Sequence, residues 1–296
     1  MPLEKSGFGF VLPRNSKTRN GATVVARRFN HPTERWIREG RGQGHCAGYR
    51  PWLSVQQVRS CGQAQKIFGL KTGRFHHVLS DLEATCLTAL EFHNDVVDIR
   101  EQFPLLPGEI TQWAASTLGI RHPRYPRTTV PCVLTSDFCA DVRSDQCDLH
   151  ETSIAVKYST DLTDPRIREL LAIEREANLM QERKWSLFTE QTLPQALVRN
   201  LKWLRRRALP RQSIDTELVL VFCRRLLDTH RTDMPLDTLL NVVCSNLDLK
   251  GIAGVTLFSV ACWYRYLWVK LDVEISERGA LTLADHPFEL RPFLFI

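Results

Sequence analysis

Thr135-Ser136-Asp137-Phe138 and Ile154-Ala155-Val156-Lys157 are the runs on which the fold turns. Each lies in a stretch of strand-like character, Val130 to Val142 and Ser153 to Tyr158, with the polar, turn-like Ser144 to Asp148 between them. Together they predict a hairpin with an aspartate in one strand and a lysine in the next. Upstream, Ser80-Asp81-Leu82-Glu83 opens a helix that runs to His93. Ser80 caps it, and Leu82, Cys86, Ala89 and Leu90 form one apolar stripe.

Working outward, Thr33 to Arg41 reads as a short helix and Gly40 to His45 as a glycine-rich connector. Val96 to Leu106 reads as extended and stops at Pro107-Gly108. Gln112 to Gly119 reads as a helix and His122 to Arg127 as a proline-broken basic loop. Asp164-Pro165 starts a long helix to about Glu182, with proline in its first turn, and Trp185 to Phe188 is a short apolar strand. Beyond Thr189 the character changes. Leu193 to Arg211 is basic and free of acids; helices follow near Asp215 to Thr229 and Asp237 to Leu247, and Gly254 to Leu283 completes a small domain. Helices followed by a short hairpin suggest a winged-helix module.

The order Glu83, Asp137, Lys157 is what a metal-dependent phosphodiesterase needs. Two carboxylates hold a divalent cation near a scissile phosphate, and an ammonium stabilises charge building there. Each residue also has a plainer reading. Ser80-x-x-Glu83 is a capping box, in which the glutamate bonds back to the cap residue's amide. Asp137 in an apolar strand fits a salt bridge as well as a ligand. Alternation puts Lys157 and Ala155 on one face, ~6.6 Å apart, which in an ordinary strand is the solvated side. His45, His76 and His77 lack metal-ligand spacing.

The chain has 296 residues, 43% hydrophobic and 24% charged, with a net charge of +6. That predicts an ordinary two-domain globular protein for which a polyanion partner is allowed but not required. Nine cysteines are scattered with no C-x-x-C pair, which disfavours a zinc knuckle and fits reduced thiols. Met1 to Val11 lacks the pattern of a secretory signal. Ile252 to Leu271, the most apolar stretch, contains Arg265 and Lys270 and reads as buried rather than membrane-spanning.

Three further runs carry a family resemblance. GRGQGHCAGYRPWL (Gly40 to Leu53), KTGRFHHVLSDLE (Lys71 to Glu83) and VDIREQFPLLP (Val97 to Pro107), followed by TSDF at Thr135 and the Val156-Lys157 pair, resemble the TnsA family over roughly residues 34 to 190. That family is the endonuclease subunit of heteromeric Tn-seven-type transposases.

Residues 1–30, with Arg14, Lys17, Arg19, Arg27 and Arg28, read from their own composition as a basic arm, either a plain tail or one that contacts DNA, and longer than the family's. The resemblance implies a restriction-endonuclease-like mixed sheet with flanking helices over 31–190, and a mostly helical, winged-helix-like partner or DNA-binding domain over 191–296. It implies cleavage at the 5′ ends of the transposon in a bacterial cytoplasm. The implied partners are transposon-end and flanking DNA, a TnsB-like transposase and a TnsC-like ATPase. Mg2+ is the implied cofactor, with Mn2+ as its substitute. Glu83 and Asp137 match the metal-binding acids, with the Val156 carbonyl as a further ligand, and Lys157 matches the catalytic lysine. Glu101 and Gln102 match positions near the site. The family has glutamine two residues before the lysine, where this chain has Ala155. That departure supports a rival reading, a catalytically weakened scaffold that docks the transposase and ATPase; a freestanding restriction-like nuclease is the other rival. From the residues alone, Lys202, Arg205, Arg206 and Arg207 are expected either to meet DNA phosphate or an acidic partner surface or to form a solvated helix face.

Overall fold

The computed structural model describes residues 32–57, 63–144, 146, 148–249 and 253–290, so the basic arm of residues 1–30 lies outside the described residues. A first helix, α1 (Pro32–Arg38), leads through the glycine-rich connector to an antiparallel hairpin, β1 (Gln65–Phe68) and β2 (Phe75–Val78). Then come α2 (Asp81–Phe92), β3 (Val96–Pro104), α3 (Glu109–Thr117), β4 (Thr135–Arg143), β5 (Leu149–Val156), α4 (Pro165–Leu179) and β6 (Lys184–Phe188). The main sheet has the order β3-β4-β5-β6, antiparallel except for the parallel β5–β6 pair. It is the mixed sheet with flanking helices that the sequence predicts. The β4–β5 hairpin is present; β4 begins at Thr135 rather than Val130, after a bridge between Arg124 and Pro131.

Alternation sorts the sheet's two faces. Phe138, Ala140, Val142, Ile154 and Val156 face a large apolar cluster that includes Leu82, Cys86, Leu87, Ala89 and Leu90 of α2. Ser153 faces the other way and donates to Asn178 Oδ1 of α4, so Ala155, two residues on, also faces α4. Ala155 is fully buried. The face is therefore not the solvated side of an ordinary strand: α4 covers it at Ala155.

The single stripe expected for α2 is an underestimate. Every residue from Leu82 to Phe92 is buried, because α2 is packed between the sheet and α5 (Gln195–Arg205). Its polar groups are matched internally: Thr85 and Thr88 donate to the carbonyls of Asp81 and Ala84, and Glu91 accepts from Leu70 N at 2.6 Å and pairs with Arg205. The same apolar cluster continues into α6 (Thr216–Thr229), α7 (Leu236–Asn246) and α8 (Ala253–Trp263). After α8 the chain forms short antiparallel bridges, Val269 with Leu283 and Pro235 with Ala280. Buried Asn200 of α5 fixes that segment, donating to the carbonyls of Leu271 and Val273 and accepting from Ile275 N at 2.8 Å. No helix among the described residues is long and apolar enough to cross a membrane.

Candidate active site

Glu83 enters the site from the first turn of α2. Ser80 Oγ accepts from Glu83 N at 3.1 Å, as a capping box requires, but the Glu83 carboxylate accepts from Leu79 N at 2.9 Å rather than from the cap residue's own amide. Glu83 is 7% exposed. Burial, reinforced by the charge of Asp137, pushes its pKa up to about 8, against the pull of the Leu79 amide and Lys157.

Asp137 sits near the start of β4. Its Oδ2 accepts from Val156 N at 2.7 Å and from Lys157 Nζ at 2.8 Å. Lys157 Nζ also donates to the Val156 carbonyl at 2.8 Å. The ammonium thus lies between the two oxygens, the Asp137 carboxylate and the Val156 carbonyl, that the sequence reading assigns to a cation. Burial lowers the Lys157 pKa, but the charge and hydrogen bond of Asp137 outweigh it and hold the group above its ordinary value.

Gln102 belongs to this cluster and Glu101 does not. The β3–β4 register passes from Glu101–Phe138 to Phe103–Ser136, leaving Gln102 opposite Asp137 with a left-handed backbone, φ 47°. Such a conformation in a non-glycine residue costs about 1–3 kcal/mol and persists only where surroundings impose it. Here it aims Gln102 Nε2 at Glu83 Oε2, 3.4 Å away. Glu101 is held on the opposite side by Arg74, at 2.8 and 2.6 Å, and by His76 Nδ1 at 2.7 Å. Burial would raise its pKa, but those partners win and bring it down to about 2. Glu101 is an anchor for the β2 strand, and its expected place near the site is corrected.

The sequence reading missed Glu174. It lies on the buried side of α4 with Leu171, Ala177 and Asn178. Ser136 and Trp185 lie close enough to its carboxyl to pull its pKa down, although Glu174 Oε1, Ser136 Oγ and Trp185 Nε1 do not meet at full hydrogen-bond geometry. Burial first, and Asp137 second, push its pKa up to about 7. A charged residue on the apolar stripe of an amphipathic helix is the signal that points to it.

The basic group of α5 divides. Arg205 pairs with buried Glu91 and donates to Phe68 O at 2.7 Å, so it joins α5 to α2 while also lining the groove that takes in Lys202 and Arg206. Arg207 lies over the Trp203 ring at 4.6 Å and approaches Glu277 at 3.6 Å. Arg206 is exposed, and Lys202 and Arg206 line a groove with Asp81, at the start of the helix that carries Glu83.

Three carboxylates, Glu83, Asp137 and Glu174, therefore share one ammonium at the end of the β4–β5 hairpin. Hard oxygen donors with surplus negative charge, one aimed by a strained glutamine, suit a hard divalent cation. Comparisons with known proteins agree in kind. Residues 93–190 match the family described as TnsA-like endonuclease N terminal. The chain is 41% identical over 170 residues to the Transposon Tn7 transposition protein TnsA of Escherichia coli, across 57% of this chain and 60% of the relative. The match thus spans less than two thirds of that relative's length.

Proposed function

With residues 93–190 forming a TnsA-like endonuclease region, we propose that this protein is the DNA-cleaving subunit of a Tn7-type heteromeric transposase, cutting at the 5′ ends of the element. Glu83, Asp137 and Lys157 carry the reaction. The observation that supports this most is the Lys157 ammonium, 2.8 Å from both the Asp137 carboxylate and the Val156 carbonyl, with Glu83 buried beside them. Glu83, Asp137 and the Val156 carbonyl would hold Mg2+ or Mn2+, which would supply Lewis-acid polarisation of the phosphate and a more acidic water. Gln102 orients Glu83. Lys157 leaves its two oxygen partners to stabilise charge growing on the phosphate oxygens. Water adds to phosphorus as the bond to the 3′ oxygen breaks, leaving a 3′ hydroxyl and a 5′ phosphate.

The DNA track runs past Lys202 and Arg206, and the helices and bridges of residues 191–296 serve as a winged-helix-like partner or DNA-binding domain. A TnsB-like transposase and a TnsC-like ATPase complete the assembly. The test is strand-specific cleavage of a donor plasmid with Mg2+ and both partners. Asp137→Ala and Lys157→Ala abolish 5′ cutting while the transposase still cuts 3′ ends, giving co-integrates. Normal 5′ cutting by either folded variant sinks the assignment.

A scaffold role is the second reading, and Ala155 favours it: a buried methyl offers no ligand. Its signature is a wild-type protein that supports complex assembly yet never nicks DNA at any Mg2+ or Mn2+ concentration.

A further inference from the structure

A histidine and two aspartates meet at the other end of β4. Asp141 is four residues from Asp137, about 13 Å along the strand, on the same face. It pairs in register with Asp98 of β3. His45, from the glycine-rich connector, places Nδ1 3.4 Å from Asp98 Oδ2 and 3.4 Å from Asp141 Oδ2. The other oxygens are held elsewhere: Asp98 Oδ1 accepts from Ile99 N at 2.8 Å, and Asp141 Oδ1 accepts from Arg100. Cys46 adopts a left-handed backbone, φ 46°, that directs its amide to Asp98 Oδ2 at 3.0 Å and seats His45 over the pair.

Charge and distance each decide something. Asp98, Asp141 and Glu151 face two guanidiniums, Arg100 and Arg183, which leaves one negative charge over in a place where Asp98 is 2% exposed. Arg74, the next cation, is engaged by Glu101. Arg100 Nε is 3.9 Å from Asp98 Oδ2, too far for a hydrogen bond. A protonated His45 is one candidate for the missing charge, but charge-assisted N–H···O bonds run about 2.7–2.9 Å, well short of the spacing here. Zinc bonds of about 2.0–2.2 Å give a tetrahedron with edges of about 3.3–3.6 Å. Magnesium, octahedral at about 2.0–2.1 Å, gives edges of about 2.8–3.0 Å. The observed 3.4 Å spacings match the tetrahedral edge.

We propose that His45 Nδ1, Asp98 Oδ2 and Asp141 Oδ2 bind one Zn2+, with water as the fourth ligand, stapling the connector to β3 and β4. Arg100 acts behind it, holding the outer oxygen of Asp141. The site is separate from the Glu83–Asp137 acids, and its test does not depend on cleavage. Chelator-stripped full-length protein is titrated with Zn2+ against a chromogenic chelator, and with Co2+ followed by visible absorption. One Zn2+ per chain is expected, undisplaced by millimolar Mg2+ and retained in Asp137→Asn. Co2+ should give the intense bands of a tetrahedral ion, discharged by one equivalent of Zn2+. His45 is exposed, so His45→Ala folds; it and Asp141→Asn should weaken Zn2+ binding at least tenfold and abolish the Co2+ bands. Zn2+ should raise the melting temperature of the wild type and leave that of His45→Ala unmoved. No tight Zn2+ in the wild type, or equal affinity in His45→Ala, overturns the proposal.

Discussion

The two ends of β4 carry similar residues and opposite electrostatics. At one end Glu83, Asp137 and Glu174 share one ammonium, and burial drives Glu83 up to about 8 and Glu174 up to about 7. At the other, Arg183 and Arg100 overcome burial and lower the pKa of Glu151, while burial still raises that of Asp141, so the contrast lies between Glu151 and the first end. Acids alone mark neither end as chemical. What separates them is how much of their charge the protein itself neutralises. Neither end is fully neutralised by the protein's own cations, and each is proposed to take one from outside.

The largest contrast should appear in activity. Asp137→Asn is expected to cut the 5′ cleavage rate by about 10²–10³ or more, the usual cost of removing one organised electrostatic group. Glu151→Gln should leave the rate within a few-fold. Single-turnover cleavage of a labelled transposon end measures both, and equal losses would erase the distinction between the two ends.

Stability should invert that order. Arg100→Met leaves Asp141 and Glu151 short of a partner, and breaking a buried pair in this way costs about 3–5 kcal/mol. Arg205→Ala strands buried Glu91 similarly, whereas exposed Arg206→Ala should change the denaturation midpoint little and weaken DNA binding in a salt-dependent way. Urea denaturation separates these outcomes; an unshifted midpoint in Arg100→Met would show that the second end needs no internal cation.

The pH profile sharpens the first end. Glu83 and Glu174 have folded pKa values raised above an ordinary value of 4.5, so their contribution to stability is fully present below about pH 4.5. It is lost as pH rises through about 7 and 8. With chelator the melting temperature should fall across that window. Mg2+, which favours the ionised carboxylates, should offset the fall most near pH 8. A flat profile in chelator would mean that neither acid is held protonated.

The smallest effect concerns Ala155. Its side chain is buried against α4, so Ala155→Gln should cost about 1–3 kcal/mol by overpacking. A lower Mg2+ requirement without destabilisation would instead reveal room beside Glu174 for another ligand.

Much of this was legible in the sequence. The hairpin of β4 and β5, the capped start of α2 and the proline start of α4 have local causes, so Glu83, Asp137 and Lys157 could be ordered before they were seen together. The rest depends on partners distant in sequence. Nothing local separates Glu101 from Gln102; the left-handed backbone at Gln102 and the grip of Arg74 send them to opposite faces. Arg205 reads as one of several surface cations until Glu91, far upstream, is found buried beneath it. Glu174 was visible as an acid on an apolar stripe, but only the fold shows what that stripe covers. The hairpin of β1 and β2 was passed over because its runs are short, and α5 was read for its basic residues rather than for Leu197, Leu201 and Leu204, which recur at helical spacing.

One mechanical consequence follows from the burial of α2. It is a 12-residue rod, about 18 Å long, with Glu83 in its first turn and Glu91 near its last. Arg205 of α5 grips the far end, and packing on every side leaves no slack along its length. Glu83 and the Arg205 grip therefore belong to one packed body, held at either end of a single helix.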